Sequence, residues 1–131
     1  MECSEVFLYD YICYQICKVK GIRYAAIINN KGRKIAGGFS NKTIPLETDI
    51  QKQEMLLMEI SLDLSMRKEF DSTLGQIKAI VSYRDKVNII TVPHDDNLLL
   101  ISSDLELDPL KVIKMSYDNL STIKPEGVII A

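Results

Sequence analysis

Several residue types that mark specialised sites are rare in this sequence. The 131 residues include no tryptophan, one histidine and three cysteines. A single histidine cannot build a His-rich zinc site, and no further Cys or His stands near the cysteines at metal-ligand spacing. The chain also lacks both G-x-x-x-x-G-K-[ST] and G-x-G-x-x-G, two sequences that bind phosphate groups. We therefore expect no metal, no cofactor and no catalytic residue set, and so no enzyme.

Neither an excess of one charge nor a long apolar run is present. Sixteen Lys and Arg stand against 18 Asp and Glu, for a net charge of −2. Nucleic-acid binding needs a basic surplus on one face, so no nucleic-acid partner is expected. No stretch reaches the roughly 20 apolar residues that span a bilayer. The opening residues MECSEVFLYD lack the basic start of a secretory signal. We expect a cytoplasmic protein with no membrane span.

The apolar patterns that are present predict one domain over residues 1–131, with 121–131 as a tail. Helices are predicted over Ser4–Lys20, over Thr48–Phe70, and after the Asp108-Pro109 start signal. Strands are predicted over Gly21–Asn29, Arg33–Phe39, Gln76–Tyr83, Val87–Pro93 and Leu98–Ser102. The fold class is therefore α/β of the α+β type, with the order helix, two strands, helix, three strands, helix. The apolar end of the tail, Val128-Ile129-Ile130, is either an extra edge strand or an arm onto a neighbour.

The predicted long helix carries two apolar stripes. A Thr48…Gln51 capping box is expected to begin it. At about 100° per residue, one stripe holds Ile50, Leu57, Ile60 and Leu64, and the other, almost opposite, holds Met55, Met58, Leu62 and Met66. A helix that lies on a sheet needs only one stripe for that contact. The second stripe therefore predicts contact with another molecule, in the first place a copy of this chain.

Other candidate residues have structural interpretations. His94, Asp95 and Asp96 are expected to form an ordinary exposed turn, and Lys31–Lys34 a basic hairpin tip. Cys13 and Cys17 are expected to be small buried apolar residues. In the first helix, Phe7, Leu8, Tyr11 and Ile12 lie off the main apolar face, so it is expected to be covered on more than one side. The last helix is predicted to bury a stripe of Leu110, Ile113 and Tyr117.

The order of elements and their apolar pattern resemble the roadblock/LC7 family of the profilin-like superfold, from about Ser4 to Leu120. The resemblance implies a five-stranded antiparallel sheet in the order α-β-β-α-β-β-β-α. It places the central helix on one face and the terminal helices on the other. Three local sequences, RYAAIINNKGRKIAGGF, LDLSMRKEFDSTLG and VSYRDKVNIITVP, are also similar to small uncharacterised archaeal proteins.

Members of that family usually dimerise through the central helix and the edge strand that follows it. Carried onto this sequence, the interface is expected to comprise Met55, Met58, Leu62 and Met66 of the helix and Ile77, Ala79 and Val81 of the strand. The resemblance implies a non-enzymatic homodimer that acts as a scaffold or regulatory subunit in a signalling complex, with a small GTPase as one partner. Two alternatives stay open. One is a profilin-like or PAS-like small-molecule sensor, with an enclosed pocket of roughly 300 Å³ or more between sheet and helix. The other is an obligate subunit of a hetero-complex.

Overall fold

The computed structural model of the chain describes residues 3–41 and 43–123. Its elements follow the order α1 (Cys3–Cys17), β1 (Ile22–Ile28), β2 (Lys34–Phe39), α2 (Ile50–Arg67), α3 (Asp71–Leu74), β3 (Ile80–Tyr83), β4 (Asn88–His94), β5 (Asn97–Ser103) and α4 (Pro109–Leu120). A 3-10 turn, Lys68–Phe70, joins α2 to the short α3. The predicted α+β order is confirmed, with α3 as an addition at the end of the long helix.

The sheet of the described residues has five strands in the order β2-β1-β5-β4-β3. All neighbouring strands pair antiparallel. The central strands β1, β5 and β4 are almost continuously buried, as expected for strands covered on both faces. The edge strands β2 and β3 are more exposed.

Alternation along the strands separates two cores. On one face, Ala25, Ile27, Leu99 and Ile101 pack with Tyr9, Ile12 and Ile16 of α1 and Val112 and Leu120 of α4. On the other face, Ala26, Ile28, Leu98 and Leu100 pack with Leu57, Ile60 and Leu64 of α2. The expected layering is therefore confirmed. The central helix covers one face of the sheet, and the two terminal helices cover the other.

The start of α2 differs from the prediction in its cap. Asp49 is the N-cap, and its Oδ1 accepts hydrogen bonds from the backbone N–H of Gln51 at 2.9 Å and of Lys52 at 3.4 Å. Thr48 does not cap the helix, so the capping-box prediction is wrong by one residue. Ile50, assigned to the sheet-facing stripe, is 68% exposed and is not part of the core beneath α2. Leu57, Ile60 and Leu64 do face the sheet.

The prediction for the last helix was right in its start and, in its buried stripe, right only at Ile113, which packs partly buried against the core. Asp108 caps α4, and Pro109 opens it. The residues buried beneath α4 are Val112, Ser116 and Leu120, whereas Leu110 is 66% exposed and Tyr117 40% exposed. Ser116 can occupy a buried position because its hydroxyl donates a 2.8 Å hydrogen bond to the Val112 carbonyl. The predicted tail strand or arm at 128–130 lies outside the described residues.

Candidate interaction surface

The apolar stripe of α2 that points away from the sheet is exposed to solvent. Met55 is 55% exposed, Met58 52%, Leu62 61% and Met66 61%. These four residues, the methionine face, have the position predicted for them on the helix. Methionine suits a contact surface because its flexible thioether adapts to a partner.

The exposed apolar surface continues past the end of α2. Phe70 in the 3-10 turn is 57% exposed, and Leu74 at the end of α3 is 81% exposed. Phe70 lay within the predicted helix but was assigned to neither stripe, and Leu74 was missed because the helix was predicted to end before Asp71. The signal that could have found them is the apolar spacing Leu62, Met66, Phe70 and Leu74, a residue every fourth position, which continues one helical face.

The predicted strand residues divide between the two faces of the sheet. Ile77 packs on the α2 side, whereas Ala79 and Val81 pack against the core beneath α1 and α4. All three are half-buried. Strand β3 begins at Ile80 rather than Gln76 and pairs only with β4, so its other backbone edge is free among the described residues. The structure thus leaves both the methionine face and this strand edge exposed, without gathering all seven predicted side chains on one surface.

The opposite edge of the sheet is partly covered. The carboxylate of Asp10 on α1 accepts a 2.7 Å hydrogen bond from the backbone N–H of Gly37 in β2. The Cys17 thiol lies 3.8 Å from the Gly38 carbonyl as a donor. A free strand edge invites pairing with another chain, and such side-chain contacts reduce that tendency. Of the two edges, β3 is the one better suited to strand pairing.

The basic hairpin tip between β1 and β2 supports α2. Asn29 Oδ1 accepts hydrogen bonds from the backbone N–H of Lys31 at 3.0 Å and of Arg33 at 2.9 Å, which closes the turn. Gly32 has φ +79°, and a Cβ there would lie 2.6 Å from Met58 Cα. Ser61 on α2 donates a 3.2 Å hydrogen bond to the Asn29 carbonyl. The tip therefore lies directly against α2 and fixes the helix that carries the methionine face.

The turn after β4 forms as predicted at its two acids, and its histidine packs inward. Asp95 and Asp96 are exposed, and Asp95 has φ +51°. The His94 side chain is only 18% exposed, and its ring meets Tyr9 edge-on with centroids 5.9 Å apart. Within residues 3–41 and 43–123, no three His, Cys, Asp or Glu side chains gather where a metal ion could bind.

Cys13 and Cys17 lie on α1 and face strand β2. Cys13 is buried, and burial raises the pKa of its thiol to about 12, with smaller contributions from Cys17 and Asp10. Cys17 is half-buried, and burial likewise raises its thiol pKa. A thiol must lose its proton to act as a nucleophile or metal ligand. The interpretation of Cys13 as a buried apolar residue agrees with this environment, whereas Cys17 is only partly covered.

Two cavities are relevant to the alternative that the chain is a small-molecule sensor. A cavity of about 180 Å³ lies beside Ser61 and Leu64 of α2 and Leu98 of β5. It is smaller than the roughly 300 Å³ expected of a sensor pocket between sheet and helix. A larger groove of about 650 Å³ lies at the other side of the sheet, between α1, the ends of β1 and β2, and the loop after β2.

No helix in the described part of the chain has both the length and the apolar character needed to cross a bilayer.

Comparison with protein families gives one match. A model of a family of unknown function, DUF6659, matches residues 1–122. No curated protein is similar enough in sequence to count as a match.

Several solved structures share the fold. A roadblock/LC7 domain from Streptomyces avermitilis superposes with TM-score 0.70 at 11% identity, over 89% of this chain and 95% of that one. MglB from Myxococcus xanthus superposes with TM-score 0.73 at 13% identity, over 100% of this chain and 98% of that one. A structure described as MglB with tetrameric arrangement gives TM-score 0.73 at 15% identity, over 92% and 88%. The predicted resemblance to roadblock/LC7 domains is thus confirmed at the level of the fold.

Proposed function

This chain belongs to the DUF6659 family, whose function is unknown, and we propose that it is a non-enzymatic scaffold or regulatory subunit that works as a homodimer in the cytoplasm. The single observation that carries the proposal is the exposed methionine face, and the edge of β3 that is free among the described residues is compatible with it. The proposed interface comprises Met55, Met58, Leu62 and Met66, together with the strand segment that holds Ile77, Ala79 and Val81.

The methionine face contains enough apolar surface to support association. Full burial of one such side chain contributes about 1.5–3 kcal/mol, and each of these is already near half covered. We therefore assign about 1 kcal/mol to covering each one, and a homodimer covers the set from both copies. This favourable free energy is comparable with the roughly 4–15 kcal/mol that association costs in lost translational and rotational freedom. Backbone pairing at the strand edge adds to it.

A two-fold arrangement would satisfy both features together. In an isologous dimer each copy presents the same surface to the other. Strand β3 would then pair with its symmetry mate and remove an open edge, while the two α2 helices would meet on one side of the extended sheet. Self-association of one structural neighbour, the MglB with tetrameric arrangement, supports this proposal.

We further propose a small GTPase as the protein that this dimer regulates. The proposal comes from the resemblance to the roadblock/LC7 fold, and the flexible methionines are compatible with a protein partner. Affinity capture from the native cell should recover a GTP-binding protein with the unmodified chain and not with the variant described next. The purified pair should then change the rate of GTP hydrolysis or nucleotide exchange, and unchanged rates would exclude the regulatory role.

Sedimentation equilibrium of the full chain tests the dimer. The native chain should have at least twice its chain mass at micromolar concentration. Met58→Asp combined with Leu62→Asp places two carboxylates on the methionine face and should abolish self-association through this surface, because burying unpaired charges is costly. Leu105→Asp with Leu110→Asp, at positions 48% and 66% exposed, is the matched control and should leave the mass unchanged. Equal masses for the native chain and the α2 variant would refute the α2 interface.

A further inference from the structure

A second exposed apolar surface lies on the other side of the molecule. On α1, Phe7 is 73% exposed, Tyr11 54% and Tyr14 57%. At 100° per residue these three point almost directly away from Tyr9, Ile12 and Ile16, which face the sheet. Lys18 continues the same stripe, since its ammonium lies 4.7 Å from the centre of the Tyr14 ring. We call Phe7, Tyr11, Tyr14 and Lys18 the aromatic stripe.

The intervals between the residues of the aromatic stripe are the same when they are read from either end of the helix. When two copies of α1 lie antiparallel with their centres aligned between Ile12 and Cys13, Tyr11 of one copy meets Tyr14 of the other. In the same alignment Phe7 meets Lys18. Aromatic rings pair favourably with each other, and a lysine ammonium is attracted to the face of an aromatic ring. The antiparallel orientation also places opposite ends of the two helix dipoles together.

We propose that the aromatic stripe is a second self-association surface, on which a second copy of this chain docks through its own α1 in antiparallel orientation. Each aromatic side chain can bury about 150–250 Å². Because the three are 54–73% exposed, what they can still bury is roughly a third to a half of the ~800 Å² per partner of a standard interface. The contact is thus weaker than the one proposed at α2 and forms at higher concentration.

The two surfaces do not compete for space. Helix α1 covers the sheet face opposite to the one covered by α2. One copy can therefore bind a neighbour at each surface. Two different isologous contacts on one chain produce a closed tetramer if the symmetry axes cross suitably, and an open filament otherwise.

Sedimentation velocity of the full chain at about 100 μM, a concentration at which weak contacts form, tests the proposal. The Met58→Asp/Leu62→Asp chain, which lacks the α2 contact, should still reach twice the chain mass through α1. Adding Tyr11→Glu and Tyr14→Glu should reduce it to a monomer, because the carboxylates face each other across the axis. Leu110→Glu, an exposed control on α4, should leave the double mass unchanged.

The register has its own test. Phe7→Lys puts two like charges opposite each other at both ends of the antiparallel pair, whereas Phe7→Lys with Lys18→Glu makes both pairs attractive. The second variant should associate about tenfold more tightly than the first, as two exposed ion pairs allow. Within one helix the two positions are about 16 Å apart, so the rescue can only be intermolecular.

The outcomes separate this proposal from the one at α2. A folded Met58→Asp/Leu62→Asp chain that stays monomeric at this concentration overturns the α1 surface, and equal association of the two register variants overturns the antiparallel alignment. If only the α2 dimer is wrong, the native chain forms a dimer that Tyr11→Glu/Tyr14→Glu disperses and Met58→Asp/Leu62→Asp does not.

Discussion

At the scale of the residue, the sequence predicts burial best where a side chain is both small and apolar. Cys13, small and flanked by apolar residues, was expected to be buried, and it is. His94 was assigned to an exposed turn, yet its ring packs on Tyr9 from α1. The difference arises because His94 closes the end of β4, and only the tertiary structure brings α1 over that strand end. A lone side chain next to two acids gave no sequence signal of this contact.

Gly32 provides a residue-scale test of how the hairpin tip supports α2. Gly32→Ala should lower the free energy of unfolding by about 3 kcal/mol, because the methyl group would combine a strained positive φ with a clash against the α2 backbone. Gly75 has a similar φ of +86° with no atom within 4 Å of an added Cβ. Gly75→Ala should therefore meet no clash and cost only the strain, about 1–3 kcal/mol, because φ +86° with ψ 166° is a conformation essentially restricted to glycine.

Urea unfolding of both glycine variants measures the difference. A loss in Gly32→Ala no larger than backbone strain alone, about 1 kcal/mol, would mean that the hairpin tip does not hold α2 where the structure places it.

Cys13 gives a second residue-scale prediction, on pH. Because burial raises the thiol pKa to about 12 from 9.0, the folded chain keeps the proton that the unfolded chain loses above about pH 9. The contribution of Cys13 to the free energy of unfolding is therefore fully present below pH 9 and is lost as pH rises toward 12. The expected slope from Cys13 is on the order of 1 kcal/mol for each pH unit.

Urea unfolding at about pH 8, 9 and 10 checks this slope. Cys13→Ala should be less stable at pH 8 and should show a smaller loss above pH 9. The slope that remains comes from the other groups whose pKa values burial raises, which are Cys17, Tyr24, Tyr9 and Tyr117. An unaltered slope in the Cys13→Ala protein would contradict the assignment.

At the scale of the element, periodicity identified every helix and strand except the short α3, but it did not identify which residues of each helix the core covers. The sheet-facing stripe of α2 was right at Leu57, Ile60 and Leu64 and wrong at Ile50, which is exposed and is not part of that core. In α4 the apolar Leu110 is exposed, while the polar Ser116 is buried. Hydropathy alone could not predict that a serine is buried and a leucine exposed, because their burial depends on the Ser116 hydrogen bond and on where α4 crosses β4.

The cap of α2 provides an element-scale prediction. Asp49→Ala should destabilise the protein by about 1 kcal/mol, because two backbone N–H groups at the helix start lose their acceptor. Asp49→Asn should retain most of the stability, since asparagine caps comparably. Thr48→Ala, one residue earlier, should change it little.

Thermal and urea unfolding of these three variants distinguish the two candidate caps. A larger loss from Thr48→Ala than from Asp49→Ala would restore the capping box that the sequence first indicated.

At the scale of the whole molecule, the layering could be predicted and the interface only in part. Element order and double-sided apolar strands gave the sheet with helices on both faces, because few arrangements bury those stripes. The exposed methionine face was also accessible from periodicity. Phe70 and Leu74 continue the same apolar spacing in the sequence, but their exposure depends on how the chain turns after α2. The sequence also did not predict that Ile77 packs on one face of the sheet and Ala79 and Val81 on the other, because this depends on where β3 begins.

The most direct test of an α2 and β3 dimer is hydrogen exchange of the full chain as a function of its concentration. The β3 amides that point away from β4 should become protected as the concentration rises through the micromolar range, together with reduced exposure of the methionine face. The amide of Gly37 in β2, already bonded to Asp10, should not change. If β3 exchanges at the same rate at every concentration, the central claim of a dimer built on this edge is contradicted.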